Sequence, residues 1–227
     1  MNELLKGTKP KGDFSINLSI GEPKNTPPRE ALSILNEYSE LLSQYPTTNG
    51  TSELRESYVN YLNRRFDVIS PIDPDKNVLP VSGTREGIFS FIQATLDTSQ
   101  KNPTVVMPNP FYKIYEGATH LAGGKPYYVN SSEEDGFKHD FESIPEETWQ
   151  DCQLLMLCSP SNPTGYTMEK KEYLKVLELA EKYDFLVCSD ECYIDLSLHI
   201  LDVDQTRYYS CITKAKAVTL LAQLPSE

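Results

Sequence analysis

A chain of 227 residues is long enough for one sizeable core, or for one large domain with a small appendage. Its hydrophobic fraction of 39% and charged fraction of 24% exclude a disordered or membrane-embedded chain. A net charge of -12 argues against a nucleic-acid or anionic-membrane surface, either of which would repel it.

The N-terminus, Met1 to Gly12, is polar and has no apolar stretch of the kind a signal peptide carries. No apolar run approaches the ~20 residues that span a bilayer, so a cytoplasmic protein is expected. Pro27-Pro28 suits a helix start, and Leu32, Leu35, Tyr38, Leu41 and Leu42 predict a helix over Pro28 to Gln44. Thr47-Thr48-Asn49-Gly50 signals a turn. A second helix is predicted over Ser52 to Arg65, with Leu54, Tyr58, Tyr61 and Leu62 on one face. Pro71, Pro74 and Asp75 mark a loop.

Beyond it, strands and helices alternate. Asn77 to Val81 reads as a strand and Arg85 to Leu96 as a helix. Thr104 to Met107 reads as a buried strand, Tyr112 to Leu121 as a helix and Pro126 to Asn130 as a strand. Residues Ser131 to Asp151 are acidic and loop-rich. Gln153 to Cys158 and Phe185 to Cys188 are continuous apolar runs and predict buried strands. Between them, Met168 to Tyr183 carries Tyr173, Val176, Leu177 and Ala180 at helical spacing. Short apolar strands alternating with helices predict an α/β domain with a mainly parallel sheet.

The cysteines, Cys152, Cys158, Cys188, Cys192 and Cys211, form no disulfide framework and no paired metal site, so free buried thiols are expected. His120, His139 and His199 show no metal-ligand spacing.

In open α/β sheets, ligands bind beyond the carboxyl ends of the strands. Four polar clusters fall there: Ser82 to Arg85, Pro108 to Tyr112, Ser159 to Gly165, and Ser189 to Tyr193. Ser82-Gly83-Thr84-Arg85 opens a helix and suits an anion, although a plain helix cap has the same composition. Phe111, Tyr112 and Tyr115 are either core aromatics or a stacking surface. Asn162 between prolines is either a turn residue or a placed donor. Asp190 ends a buried strand, where a carboxylate needs a partner or serves as a cap.

The run SPSNPTG at Ser159 to Gly165 followed by SDECY at Ser189 to Tyr193 resembles the fold-type I, class I/II aminotransferases. IGEP at Ile20 to Pro23, YPTTNGTSELR at Tyr45 to Arg55, and SGTREGIF at Ser82 to Phe89 match the same family in the same order. The wording of IGEPK, GTREGIF and DECYIDLSLH is most similar to its succinyldiaminopimelate aminotransferase branch, which acts in lysine biosynthesis. The resemblance implies the large domain of a pyridoxal 5′-phosphate (PLP) transferase. Gly83, Thr84 and Arg85 would then hold the phosphate, and Tyr112, with Phe111 as the other choice, would stack on the ring. Asn162 and Tyr193 would meet the phenolic oxygen O3′, and Asp190 the ring nitrogen. Tyr45 would reach the phosphate of a dimer partner, unless it packs before the Pro46 turn, and Gly21 would lie near the substrate carboxylate. The family is homodimeric and moves amino groups between amino acids and 2-oxo acids.

The pattern thins after His199. A Schiff-base lysine is expected some tens of residues past Asp190, but the tail offers only Lys214 and Lys216, in the unmatched context CITKAKAV. That context reads more simply as an amphipathic helix carrying Ile212, Val218, Leu221 and Leu224. The sequence thus divides into an N-terminal arm and first helix (1–44), a partial PLP-binding domain (45–199) and a non-matching tail (200–227). The large domain is expected to be incomplete and the C-terminal small domain missing. Two functions stay open: amino-group transfer, with succinyldiaminopimelate and glutamate as the pair the resemblance implies, or a truncated remnant that binds PLP without catalysis or only associates with other subunits.

Overall fold

The structure is a computed structural model that describes Gly7 and residues 26–66, 68, 71–194 and 217–220. The chain divides into two compact units, Met1–Pro46 and Thr47–Glu227.

In the first unit, α1 (Arg29–Glu37) runs into a 3-10 turn, Ser39–Ser43. The single long helix expected over Pro28 to Gln44 is therefore two pieces. Tyr38 ends α1 outside helical geometry, and its N–H bonds back to Ile34. The apolar residues of the predicted stripe, Leu32, Leu35, Tyr38, Leu41 and Leu42, are all exposed.

The second unit begins with α2 (Ser52–Arg65), whose bounds match the expectation. Thr51 caps it by accepting the Leu54 N–H at 3.2 Å. The strand expected at Asn77 to Val81 is not formed. Asp73 accepts the Asp75 N–H at 2.9 Å and Pro74 takes the first helical position, so a short helix, α3 (Pro74–Asn77), forms instead. Next come α4 (Thr84–Thr95), β1 (Thr104–Asn109), α5 (Ile114–Leu121) and β2 (Lys125–Asn130). The acidic stretch after β2 holds a 3-10 turn, Phe141–Ser143, and α6 (Glu146–Asp151). β3 (Cys152–Cys158), α7 (Lys170–Tyr183), β4 (Leu186–Asp190) and β5 (Ala217–Leu220) complete the described elements.

All sheet pairings are parallel, in the order β2-β1-β3-β4-β5. β5 corrects the expectation of a helix in the tail. Ala217–Leu220 pairs with β4, with Asp190 opposite Leu220.

Alternation along the central strands splits the core into two layers. Leu155, Leu157, Val106 and Val187 face Tyr61, Trp149, Tyr173 and Val176, from α2, α6 and α7. Leu154, Met156, Val105 and Met107 face Ile88, Ile92, Tyr115 and Ala118, from α4 and α5. Each such side chain contributes roughly 1.5–3 kcal/mol on full burial, so the middle of the sheet is the most firmly held part of the unit. The strand order reverses between β1 and β3, and in doubly wound folds the crevice lies outside the carboxyl ends at that reversal.

Candidate functional site

The carboxyl ends of β1, β3 and β4 and the amino end of α4 carry the site residues. Asp190, the last residue of β4, is only 3% exposed. Its Oδ2 accepts a 2.7 Å hydrogen bond from the Tyr115 hydroxyl, and its Oδ1 accepts a long one, 3.4 Å, from the Cys192 N–H. Both donors are neutral, and among the described residues no cation pairs with it. A buried carboxylate costs several kcal/mol of desolvation unless a positive partner offsets it, so this arrangement is a built place for a cation.

The neighbouring groups are linked through Asp190. The Cys158 thiol at the end of β3 is pushed up to about 12, first by burial and next by the Asp190 charge, and a backbone bond from Asn162 acts against that rise. The Thr84 hydroxyl lies 3.2 Å from the Cys192 sulfur. Tyr193 is held above the ordinary phenol range by partial burial first, then by Cys192, Cys158, Asp190 and Tyr112. Asn162, Asp190, Tyr193, Tyr112 and Thr84 thus belong to one connected cluster, with Gly83 and Arg85 on either side of Thr84.

The amino end of α4 is open. Gly83 occupies the cap position at φ +128°, and no side chain caps the first turn. A side chain at position 83 would be strained by that φ, and its Cβ would stand 3.0 Å from Glu86 Oε2. Ser82, Gly83 and Arg85 are exposed, so the first-turn N–H groups face outward.

The two aromatic candidates have different surroundings. Phe111 already stacks on Tyr128, with centroids 5.5 Å apart and planes 13° apart. Tyr112 is half-buried and stands perpendicular to Tyr115 with centroids 6.0 Å apart, and among the described residues no ring stacks on it. Tyr115, left open in the sequence between a core aromatic and a stacking surface, is fully buried and also donates to Asp190. Nothing in the sequence distinguished it beyond its position three residues after Tyr112. Tyr45, in the first unit, is 102% exposed, so it is not packed before the Pro46 turn. Gly21, Lys214, Lys216, His199 and Cys211 lie outside the described residues.

Pyridoxal phosphate fits this donor set. The buried Asp190 carboxyl, with no cation beside it among the described residues, suits a protonated ring nitrogen, and the open helix end suits a phosphate. The loop of Asn162 also carries a buried hydroxyl, Ser161 Oγ, with no hydrogen-bond partner among the described residues. No group of three or more His, Cys, Asp or Glu side chains among the described residues could hold a metal ion. Cys152, Cys158 and Cys188 are buried free thiols, and Cys192 is a half-buried one. No helix among the described residues is long and apolar enough to cross a membrane.

A family model described as aminotransferase class I and II matches residues 15–222, a span that passes His199 and includes β5. The LL-diaminopimelate aminotransferase of Syntrophobacter fumaroxidans is 33% identical over 189 residues, which are 82% of this chain and 47% of the relative. An aminotransferase crystal structure from Neisseria meningitidis superposes with a TM-score of 0.87 at 36% identity, covering 97% of this chain and 57% of that one. The aminotransferase AspB of Helicobacter pylori gives 0.84 at 30% identity, covering 97% of this chain and 58% of that one. This chain therefore spans about half the length of the curated relatives it matches.

Proposed function

The chain belongs to the aminotransferase class I and II family, and on that premise we propose that its strand ends hold pyridoxal 5′-phosphate for transfer of an amino group between an amino acid and a 2-oxo acid. The observation that carries this reading is Asp190: a buried carboxylate at a strand end, bonded among the described residues by neutral donors.

When bound, the cofactor supplies an electron sink, which works only while its ring nitrogen is protonated. Asp190 holds that proton at the nitrogen, and the charge pair offsets the cost of burying the carboxylate. Gly83, Thr84 and Arg85 bind the phosphate at the amino end of α4, where backbone N–H groups and the helix dipole favour an anion. Tyr112 orients the ring by offset stacking, worth about 1 kcal/mol beyond its buried area. Asn162 and Tyr193 donate to O3′, and the raised phenol of Tyr193 keeps its proton at neutral pH. Tyr45 is the residue proposed to reach a second copy of the chain in a homodimer, as its exposure allows, and Gly21, outside the described residues, is proposed for the substrate carboxylate.

For the substrate, the names of the relatives support the diaminopimelate skeleton and hence a role in lysine biosynthesis. They do not contain the succinyl group that the motif wording suggested, so the unblocked amino acid is the proposed donor or product. A cytoplasmic setting belongs to the same reading.

Covalent labelling tests it. The protein is incubated with pyridoxal phosphate, reduced with borohydride, digested and mapped by mass spectrometry. An adduct at Lys214 supports amino-group transfer by this chain. Saturable binding without a labelled lysine supports cofactor binding alone, the second function left open by the sequence. No binding by equilibrium dialysis contradicts the proposal.

A further inference from the structure

Asp190 is gripped unevenly. Tyr115 donates to Oδ2 at 2.7 Å, whereas the Cys192 N–H stands 3.4 Å from Oδ1, with the Cys192 side chain also beside the carboxylate. Tyr115 is itself fixed. Its ring is fully buried on the α5 side of the sheet, edge-on to Tyr112, and its backbone carbonyl accepts the Thr119 hydroxyl at 2.7 Å. Burial first, then the neighbouring Cys158 and Asp190, hold its phenol well above the ordinary range, so it stays a donor at every working pH. A hydrogen bond donated to a carboxylate favours the charged form and roughly doubles in strength over a neutral one.

Resting on the cofactor reading above, we propose that Tyr115 is the positioning residue of the site: by occupying Oδ2 it fixes the Asp190 carboxyl and leaves Oδ1 to meet the ring nitrogen. The same side chain stands perpendicular to Tyr112, with centroids 6.0 Å apart, so one residue touches both the residue proposed to stack on the ring and the residue proposed to meet its nitrogen. The adjoining contact of Thr84 with Cys192 places the phosphate-side hydroxyl in the same chain of contacts.

The test uses the full chain and two ligands: pyridoxal phosphate, and its deaza analogue, in which the ring nitrogen is replaced by a carbon. Wild type should prefer pyridoxal phosphate, and Asp190→Asn should lose that preference. Tyr115→Phe keeps the ring and removes the donor. It should weaken pyridoxal phosphate binding roughly ten-fold while leaving the analogue within two-fold, because only the nitrogen contact depends on the carboxylate. Equal weakening of both ligands overturns the proposal and makes Tyr115 a packing residue. Tyr115→Phe in the Asp190→Asn background strands no charge and gives a second, milder variant. Its ratio for the two ligands must equal that of Asp190→Asn alone, and a further change overturns the proposal. If Asp190→Asn leaves the wild-type preference intact, the failure lies in the cofactor reading of Asp190 itself, and the inference falls with it.

Discussion

Arg55 is a buried cation, 6% exposed, whose task is to hold backbone rather than to meet substrate. Its Nη1 donates to the carbonyls of Asn49 and Gly50 at 3.1 and 2.7 Å, its Nε to that of Pro74 at 3.2 Å, and its Nη2 to Asp75 Oδ1 at 2.6 Å. It thereby ties the turn before α2 to α3, the segment that leads into Ser82 to Arg85. The Asp75 side chain is 74% exposed, so that ion pair is worth at most about 1 kcal/mol. Hydrogen bonds from a charged donor are worth about 1.5–3 kcal/mol each when buried, but these carbonyls partly regain water once the guanidinium is gone. Arg55→Leu should therefore cost about 3 kcal/mol in all. For a chain of this size that lowers the melting temperature by roughly 6–12 °C. Asp75→Asn should lower it by no more than about 4 °C. Melts followed by circular dichroism on both variants decide the matter. The reasoning fails if Asp75→Asn costs as much as Arg55→Leu, or if Arg55→Leu shifts the melt by under about 2 °C.

Gly83→Ala should destabilise the fold by roughly 1–2 kcal/mol, read by urea unfolding, because φ +128° lies outside the range an alanine adopts without strain. The same variant should bind inorganic phosphate and pyridoxal phosphate more weakly; unchanged stability would remove the argument for a glycine-shaped cradle. His139 is buried between Phe141 and Tyr166 with neither nitrogen bonded among the described residues, and burial depresses its imidazole below the ordinary 6.5, against the pull of Glu172. The folded form then binds fewer protons than the unfolded chain. Its contribution is complete above about pH 6.5 and is lost as the pH falls below that value. His139→Phe should flatten the acid limb of the stability curve, and identical limbs in the two proteins would contradict the assignment. Met156→Ala, in the middle of β3, should cost about 2–5 kcal/mol in the same assay, and a cost under 1 kcal/mol would show that this layer repacks freely.

The parts of the fold legible in the sequence were those written in side-chain period. The apolar run of β3 and the Tyr173-Val176-Ala180 stripe of α7 correspond to buried positions because burial on both faces of a central strand, or on one face of a helix, leaves that signature. The α2 helix was legible because Leu54, Tyr58, Tyr61 and Leu62 recur on one face, and Tyr61 and Leu62 of that face are buried. Short apolar runs without such marks misled. Val78 to Val81 follows an Asp-Pro helix start, and Ala217–Leu220 reads as either period until its partner strand is known. The chemistry at the strand ends was legible as residue types, Asp190 above all, but its hydrogen bonding was not. Tyr115 and Asp190 lie 75 positions apart, and only the crossover of the sheet brings them to 2.7 Å.

The central claim is that Asp190 is the anion for a protonated cofactor nitrogen. It is tested most directly by titrating wild type and Asp190→Asn with pyridoxal phosphate while recording the absorption spectrum across pH. Wild type should bind saturably and keep the bound ring nitrogen protonated to higher pH than the free cofactor, while Asp190→Asn should bind at least ten-fold more weakly and lose that protection. Equal affinities and equal pH profiles for the two proteins would contradict the account.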